Sequence, residues 1–269
     1  MKAYNAIKFS IDSSGVATIT MARPQVHNAM NGEMLEELRH AVAECHGRSD
    51  IRVVVLAGEG KSFSAGGDIK GQQLQKDHAE SHRLEEAGKF ASLLKELDEL
   101  NKPLIGKIHG GAYGGGVGLV AVCDVAIAVA SSEFAVTEVR LGLTPSVIAP
   151  YMLRRMGQAA ARRLILTARS IKASEAVAVG LVDRVVDAGG LDAAVAEEIG
   201  LLLRCAPSAL AAGKRLISYM VEHGIEENLA YGVNCVADIW TSGEAAEGML
   251  AFIEKRQPSW SRPPAGGNS

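Results

Sequence analysis

Twice in this chain an apolar run of strand length is followed at once by a cluster of glycines, and that repeated passage constrains the fold more than any other feature. The first run, Ile51–Ala57, leads into KSFSAGGDIK (Lys61–Lys70); the second, Leu104–Ile108, leads into HGGAYGGGVGLVAVCD (His109–Asp124). A β-branched run such as the first reads as a strand buried on both faces. A turn without Cβ atoms lets another group approach the backbone and leaves N–H groups pointing outward. Where such a turn opens a helix, as the second does from about Gly115 to Val122, the first N–H groups have no intrahelical partner. They also sit at the positive end of the helix dipole.

The remaining pattern fits an α/β chain. Ala6–Ile11 and Val16–Met21 alternate around Ser13-Ser14-Gly15 as a β-hairpin. Asn31 caps a helix carrying Met34, Leu35, Leu38, Val42 and Cys45 on one face. Val125–Val129 and a short segment around Phe134–Val136 read as strands. Helices are expected over Val147–Met156, Ala159–Leu166, Ala173–Val179, Leu191–Cys205 and Ser208–Glu222. Strands with crossover helices come first and helices alone follow, so an α/β core over about 1–200 is expected to precede a helical part over 201–269. The polar stretch from Lys70 to Lys89 carries no motif and reads as mobile.

Several function classes are excluded at this level. Net charge is −3 with no long basic run, which gives nucleic acid no footprint. The apolar stretch Leu119–Ala130 is broken by Asp124 and is too short to span a bilayer, and the first residues lack the apolar core of a signal peptide. A soluble, cytoplasmic protein is expected. Cys45, Cys123, Cys205 and Cys235 are scattered without ligand spacing and read as buried reduced thiols; no HExxH occurs, and no metal is expected. Neither glycine cluster has phosphate-loop or GxGxxG form. Two such turns on neighbouring strands instead suit an oxyanion hole, in which each donor contributes on the order of 3 kcal/mol to transition-state stabilisation. The charge that develops on a thioester as it becomes an enolate fits such a site.

The two turns, their spacing and the segment FAVTEVRLGLTPS (Phe134–Ser146) resemble the crotonase (enoyl-CoA hydratase/isomerase) superfamily, over nearly the whole chain from ITMARPQVHNAM near Arg23 to AFIEKRQPSW. The resemblance implies a spiral of repeated β-β-α units with C-terminal helices that assemble trimers or pairs of trimers. It implies oxyanion N–H groups at Gly67 and Gly115 and a catalytic carboxylate at Glu138. An acyl-coenzyme A substrate, with no further cofactor, would lie along Arg23, His27 and Ala29 and along Lys61, Ser62, Phe63 and Ala65. Asp68 and Ile69 would close the first turn. Phe252 and Lys255 match residues that reach coenzyme A, often that of a neighbouring subunit, and a lysine there would attract its phosphates.

One position departs from the pattern. Two-glutamate hydratases carry a Glu shortly after GGG, where this chain has Gly118. Glycine cannot hold a water or move a proton, so Glu138 alone remains as general acid/base. GGGVGL, CDVAIA and TEVRLGLTPSVIAPY resemble hydratases of branched, carboxylated enoyl-CoA thioesters of the methylglutaconyl, carboxygeranoyl and isohexenylglutaconyl type. Hydration of a 2-enoyl-CoA is the expected reaction, with 3-enoyl to 2-enoyl isomerisation as the alternative and decarboxylation behind it. A non-catalytic acyl-CoA-binding subunit is the non-enzymatic alternative. Ser146 stands where the family's dehalogenases carry an Asp nucleophile, which counts against dehalogenation. Arg140 is a candidate contact for a substrate carboxylate if its strand turns it inward. His109 reads as a hydrogen-bonded structural histidine, and Tyr113 either lines the acyl pocket or packs.

Overall fold

The computed structural model describes residues 3–68 and 80–261; Ile69 and the polar stretch as far as position 79 lie outside the described residues. Strands β1 (Ile7–Ile11) and β2 (Val16–Met21) form the expected antiparallel hairpin, with Ile7 opposite Met21. Its turn is held by the Asp12 carboxylate, which accepts from the Ser14 and Val16 N–H groups at 2.9 and 3.0 Å. Helix α1 (Gly32–Gly47) follows, with the Asn31 side chain accepting from Met34 N–H at 3.0 Å and the expected apolar face buried.

From β3 (Val53–Gly58) onward the chain repeats one unit: a long strand, a short strand, then a helix. The first unit is β3, β4 (Ser62–Ser64) and α2 (Glu80–Asp98). The second is β5 (Leu104–Ile108), β6 (Gly111–Tyr113) and α3 (Gly115–Ala121), and the third is β7 (Val125–Val129), β8 (Glu133–Ala135) and α4 (Ala149–Thr167). Long strands build one sheet and short strands another, so the chain winds as a β-β-α spiral of the kind the resemblance implies. The final winding adds β9 (Ile171–Lys172), α5 (Ala173–Ala178) and β10 (Arg184–Val186). The long sheet runs β1-β2-β3-β5-β7-β10, parallel throughout from β2, and the short one runs β4-β6-β8-β9.

Both faces of the long sheet are covered, which explains the unbroken apolar run of β3. Val54 and Leu56 point into the larger core with α1, α2 and α3. Val53 and Val55 point the other way, into a smaller core closed by Leu191, Ala194 and Val195 of α6 (Leu191–Leu202). The chain then ends in α7 (Pro207–Glu222), α8 (Ile225–Trp240) and α9 (Gly243–Ile253). These are tied to the core by polar contacts: Lys214 donates to the Lys102 carbonyl at 3.1 Å and to Asp124 at 2.7 Å, and Arg52 donates to the Cys205 carbonyl at 2.8 Å. No residue of α7 or α8 is buried, and Ile217, Leu229, Val233 and Trp240 are exposed.

Three expectations need correction. The polar stretch does not remain irregular over its whole length, because α2 starts at Glu80. Lys89 meets Glu86 at 3.0 Å and Glu85 at 3.1 Å, the i,i+3 and i,i+4 spacings that support a helix of good helix formers. Segments 62–64 and 111–113, read as parts of turns, are the strands β4 and β6; their glycine and serine content hid them. Cys205 is exposed, whereas Cys45 and Cys123 are buried, and burial pushes both of those thiols up to about 12. Helix α4 spans the two helices expected there, which meet at a non-helical Gly157. Among the described residues no helix is long and apolar enough to cross a membrane.

Since β4 and β6 pair in parallel, the glycine turns that leave them emerge side by side. Asn28 holds the first from below. Its side chain is fully buried; its Nδ2 donates to the carbonyls of Glu59 and Ser62 at 2.9 Å and of Phe63 at 3.1 Å, and its Oδ1 accepts from Arg23 N–H at 3.0 Å. Replacing Asn28 with Ala strands these groups, so we expect a loss of about 1–3 kcal/mol of stability. A denaturation midpoint equal to the parent's would contradict this role.

Candidate active site

The first glycine turn, Ala65–Asp68, is fastened to residues 27–30 by main-chain bonds. Ala65 N–H donates to the His27 carbonyl at 2.8 Å, Met30 N–H to the Gly66 carbonyl at 2.7 Å, and Asp68 N–H to the Met30 carbonyl at 2.9 Å. Gly66 N–H donates to Ser64 Oγ at 3.2 Å. Arg23 adds a clamp, donating to the Ala29 carbonyl at 2.6 Å and to the Asp68 carboxylate at 3.1 Å. Only the Gly67 N–H of this turn donates to no partner among the described residues, and the space beside its Cα is open.

The second turn packs directly on the first. Gly114 adopts φ 49°, a backbone state open to glycine, and its N–H donates to the Ala135 carbonyl at 2.9 Å. Gly115 is the first residue of α3, and its N–H is also unpartnered among the described residues. A Cβ placed on Gly66 would come within 2.6 Å of the Tyr113 carbonyl oxygen and 2.9 Å of the Gly115 nitrogen, and one on Gly116 within 2.5 Å of the Ser64 carbonyl oxygen. Side chains at 66 and 116 would therefore push the two turns apart.

Glu138 opens a short 3₁₀ turn, Glu138–Leu141, just beyond β8. A Cβ on Gly114 would stand 2.9 Å from Glu138 Oε1, so the carboxyl group lies against the residue that precedes Gly115. Its Oε2 is buried and has no hydrogen-bond partner among the described residues. Burial pushes the Glu138 carboxyl above its usual range, opposed by the N–H groups of Glu138 and Thr137. A carboxyl group so placed retains a proton more readily than a solvated one. Arg140, a candidate contact for a substrate carboxylate, lies in this 3₁₀ turn rather than on a strand and is exposed.

Apolar side chains surround the second turn. Met30 Cε and Phe90 Cζ would be 2.9 and 3.1 Å from a Cβ on Gly115. A Cβ on Gly118 would overlap Ile148 Cγ2, lie 3.0 Å from Ile148 Cβ and meet Leu94 Cδ1 at 3.5 Å. Ile148 is 2% exposed, so the place from which a second carboxylate would project is packed with hydrocarbon. None of Met30, Phe90, Leu94 and Ile148 was singled out from the sequence. Met30 and Ile148 lie inside the recognised ITMARPQVHNAM and TEVRLGLTPSVIAPY stretches, but Phe90 and Leu94 lie in a segment whose meaning depends on the fold.

The other expected site residues divide into two groups. Arg23, Ala29, Ser62, Ala65 and Asp68 lie around the first turn, and His27 joins them through an Nδ1 contact to Ser62 Oγ at 3.0 Å. Lys61 is exposed at its rim, whereas the Phe63 ring is fully buried in the core and leaves only its backbone near the turn. Phe252 and Lys255 stand at the end of α9; Phe252 is 85% exposed and Lys255 forms no ion pair among the described residues. His109 Nε2 contacts the Gly60 carbonyl at 2.9 Å, and the Tyr113 ring folds back over Gly111. Among the described residues no group of three His, Cys, Asp or Glu side chains is placed to hold a metal ion.

Comparison with known proteins gives a consistent result. The sequence profile described as enoyl-CoA hydratase/isomerase matches residues 12–263. The short-chain-enoyl-CoA hydratase of Clostridium acetobutylicum is 33% identical over 244 residues, 90% of this chain and 92% of that protein. The crystal structure of an enoyl-CoA hydratase from Shewanella pealeana superposes with a TM-score of 0.91 at 34% identity, covering 95% of this chain and 96% of that one. Pseudomonas aeruginosa AtuE superposes with a TM-score of 0.91 at 37% identity, covering 96% and 100%.

The packing at Gly118 yields a prediction. Gly118→Ala overfills the contact with Ile148 and should destabilise the protein by about 1–3 kcal/mol. Combined with Ile148→Ala, itself destabilising, the total loss should fall clearly short of the sum of the two single losses, since neighbouring residues that share a space are not additive. Strictly additive effects in thermal or denaturant unfolding would show that the two residues do not compete for the same volume.

Proposed function

The chain belongs to the enoyl-CoA hydratase/isomerase family, and from that premise we propose that it adds water to a 2-enoyl-CoA thioester with one carboxylate. The thioester oxygen accepts hydrogen bonds from the N–H groups of Gly67 and Gly115. Glu138 takes a proton from a water as the water oxygen bonds to the β-carbon; the electron pair of the double bond moves toward the carbonyl, giving an enolate. Glu138 then returns that proton to the α-carbon, and the enolate oxygen reverts to a carbonyl. The two N–H donors act where negative charge develops, so they stabilise the transition state more than the ground state. One observation carries the reading: the buried, unpartnered Glu138 oxygen belongs to a carboxyl group set against Gly114, one residue before the free N–H of Gly115.

The coenzyme A moiety takes the exposed rim, along His27 and Lys61–Ala65, where Lys61 offers a cation to its phosphates. Arg23 contributes by clamping the turn, since its guanidinium is engaged with Ala29 and Asp68. The exposed apolar faces of α7 and α8 support assembly into a homotrimer or a pair of trimers. Phe252 and Lys255 would then act on the coenzyme A of a neighbouring subunit, residues 201–269 serving as the assembly region. The reaction uses the thioester as substrate and requires no separate cofactor.

Met30, Phe90, Leu94 and Ile148 favour an apolar, branched acyl group over a carboxylated one, because their side chains beside the second turn are hydrocarbon and Arg140 is exposed. The hydrocarbon seal over Gly118 also favours a second reading, 3-enoyl to 2-enoyl isomerisation, in which Glu138 removes an α-proton and returns it at the γ-carbon. Conjugated 2-enoyl absorbance separates the two: it falls in hydration and rises from a 3-enoyl substrate in isomerisation.

Glu138→Gln should reduce turnover by at least about 10²-fold, the lower range for a general acid/base, while acyl-CoA affinity changes little. Full turnover in this variant would remove Glu138 from the mechanism. Because burial raises the Glu138 pKa, the basic form appears only above the ordinary carboxylate range, and kcat/KM should rise with pH through that higher midpoint. The stability effect has the opposite sense: protonation favours the folded state, and that contribution is lost as pH rises through the raised pKa. A rising limb at or below the usual Glu range would contradict the assignment.

A further inference from the structure

The apolar groups beside the second turn have no proton to give or take. Along α2, Leu93, Leu94 and Leu97 are all at most 1% exposed, as the core stripe of an amphipathic helix should be. Phe90 lies one turn before Leu94 on the same face, yet is only partly buried. Its Cζ and Cε1 would be 3.1 and 3.2 Å from a Cβ on Gly115, so the ring edge is aimed at the residue whose N–H is free. Met30 Cε occupies the adjoining space at 2.9 Å. On the preceding residue, Gly114, the corresponding neighbour is the Glu138 carboxyl group. Consecutive residues of one turn thus have the carboxyl group and two apolar tips as their respective nearest neighbours.

Resting on the reading above, in which a thioester oxygen meets the Gly115 N–H, we propose that Phe90, assisted by Met30, is the residue that selects the acyl group by bulk. A carbon chain attached to that carbonyl runs between the Glu138 carboxyl and the Phe90 edge. Phe90 is stiff, with two rotatable bonds, and sets the width of the gap. Met30 is unbranched and deformable, and adapts to the shape of whatever enters. Both residues touch the site without donating or accepting a proton, so they act on which chain fits and leave the bond chemistry to Glu138.

The test uses affinity, which does not depend on turnover. Binding of butanoyl-CoA, 3-methylbutanoyl-CoA, octanoyl-CoA and free coenzyme A is measured for the parent, Phe90→Ala and Phe90→Leu. The parent should bind the acyl thioesters more tightly than free coenzyme A. In Phe90→Ala the affinity ratio of octanoyl-CoA to butanoyl-CoA should shift toward the bulkier ligand by roughly 10-fold or more, the scale on which apolar pockets distinguish chains. Phe90→Leu should shift it less and covers the case in which the Ala variant does not fold. Unchanged ratios in a folded variant, with the parent still preferring acyl thioesters, would overturn the role of Phe90 alone. A parent that binds acyl thioesters no better than free coenzyme A would instead overturn the functional reading on which it rests.

Discussion

The close backbone contact between two glycine turns is the constraint on which the rest of this molecule depends. At Gly66 the main chain of one turn reaches the Tyr113 carbonyl and the Gly115 nitrogen of the other with no room for a β-carbon between them. The parallel pairing of β4 with β6 brings the turns to the same end of the short sheet, and the bonds from residues 27–30 hold the first in place. Two of the four N–H groups in the Ala65–Asp68 turn are consumed by that fastening and a third, that of Gly66, by Ser64 Oγ, so Gly67 alone donates to no partner among the described residues. In the second turn, the start of α3 leaves Gly115 free for the general reason that a helix cannot satisfy its own first N–H groups. Rigidity and reactivity therefore arise together: the bonds that immobilise the backbone also determine which amides remain available.

Polarity around those amides is distributed unevenly. One flank carries Glu138, whose burial without a partnering cation raises its proton affinity. The other flank and the space over Gly118 are hydrocarbon, from Met30, Phe90, Leu94 and Ile148. A low-polarity surround strengthens hydrogen bonds from fixed N–H groups, because little water competes for them. In the proposed reaction it leaves proton transfer to a single carboxyl group. The packing of Ile148 against Gly118 gives the lost carboxylate position a structural counterpart: the volume is filled.

Much of this was legible in the sequence where one residue type has one physical use. The β-branched run before the first turn became β3, Asn31 became the cap of α1, and the glycines at 66 and 114 became backbone states that exclude side chains. The sequence also placed Glu138 beside the second turn by motif. What stayed hidden depends on long-range pairing. Segments 62–64 and 111–113 are strands only because they lie beside each other, and their serines and glycines have little strand preference of their own. Arg23 is expected along the path of coenzyme A from its motif, and only the fold shows that its guanidinium holds Ala29 and Asp68. Phe90 and Ile148, 58 positions apart in number, meet the same short helix from different elements, which no local pattern announces.

A crystal structure with a bound, slowly reacting acyl-CoA thioester tests the central claim most directly. The account predicts the thioester oxygen at about 2.7–3.1 Å from both the Gly67 and the Gly115 nitrogens. It also predicts the α- and β-carbons lying between the Glu138 carboxyl group and Phe90. A thioester oxygen bound to only one of those amides or to neither, or Glu138 turned away from the acyl carbons, would contradict it.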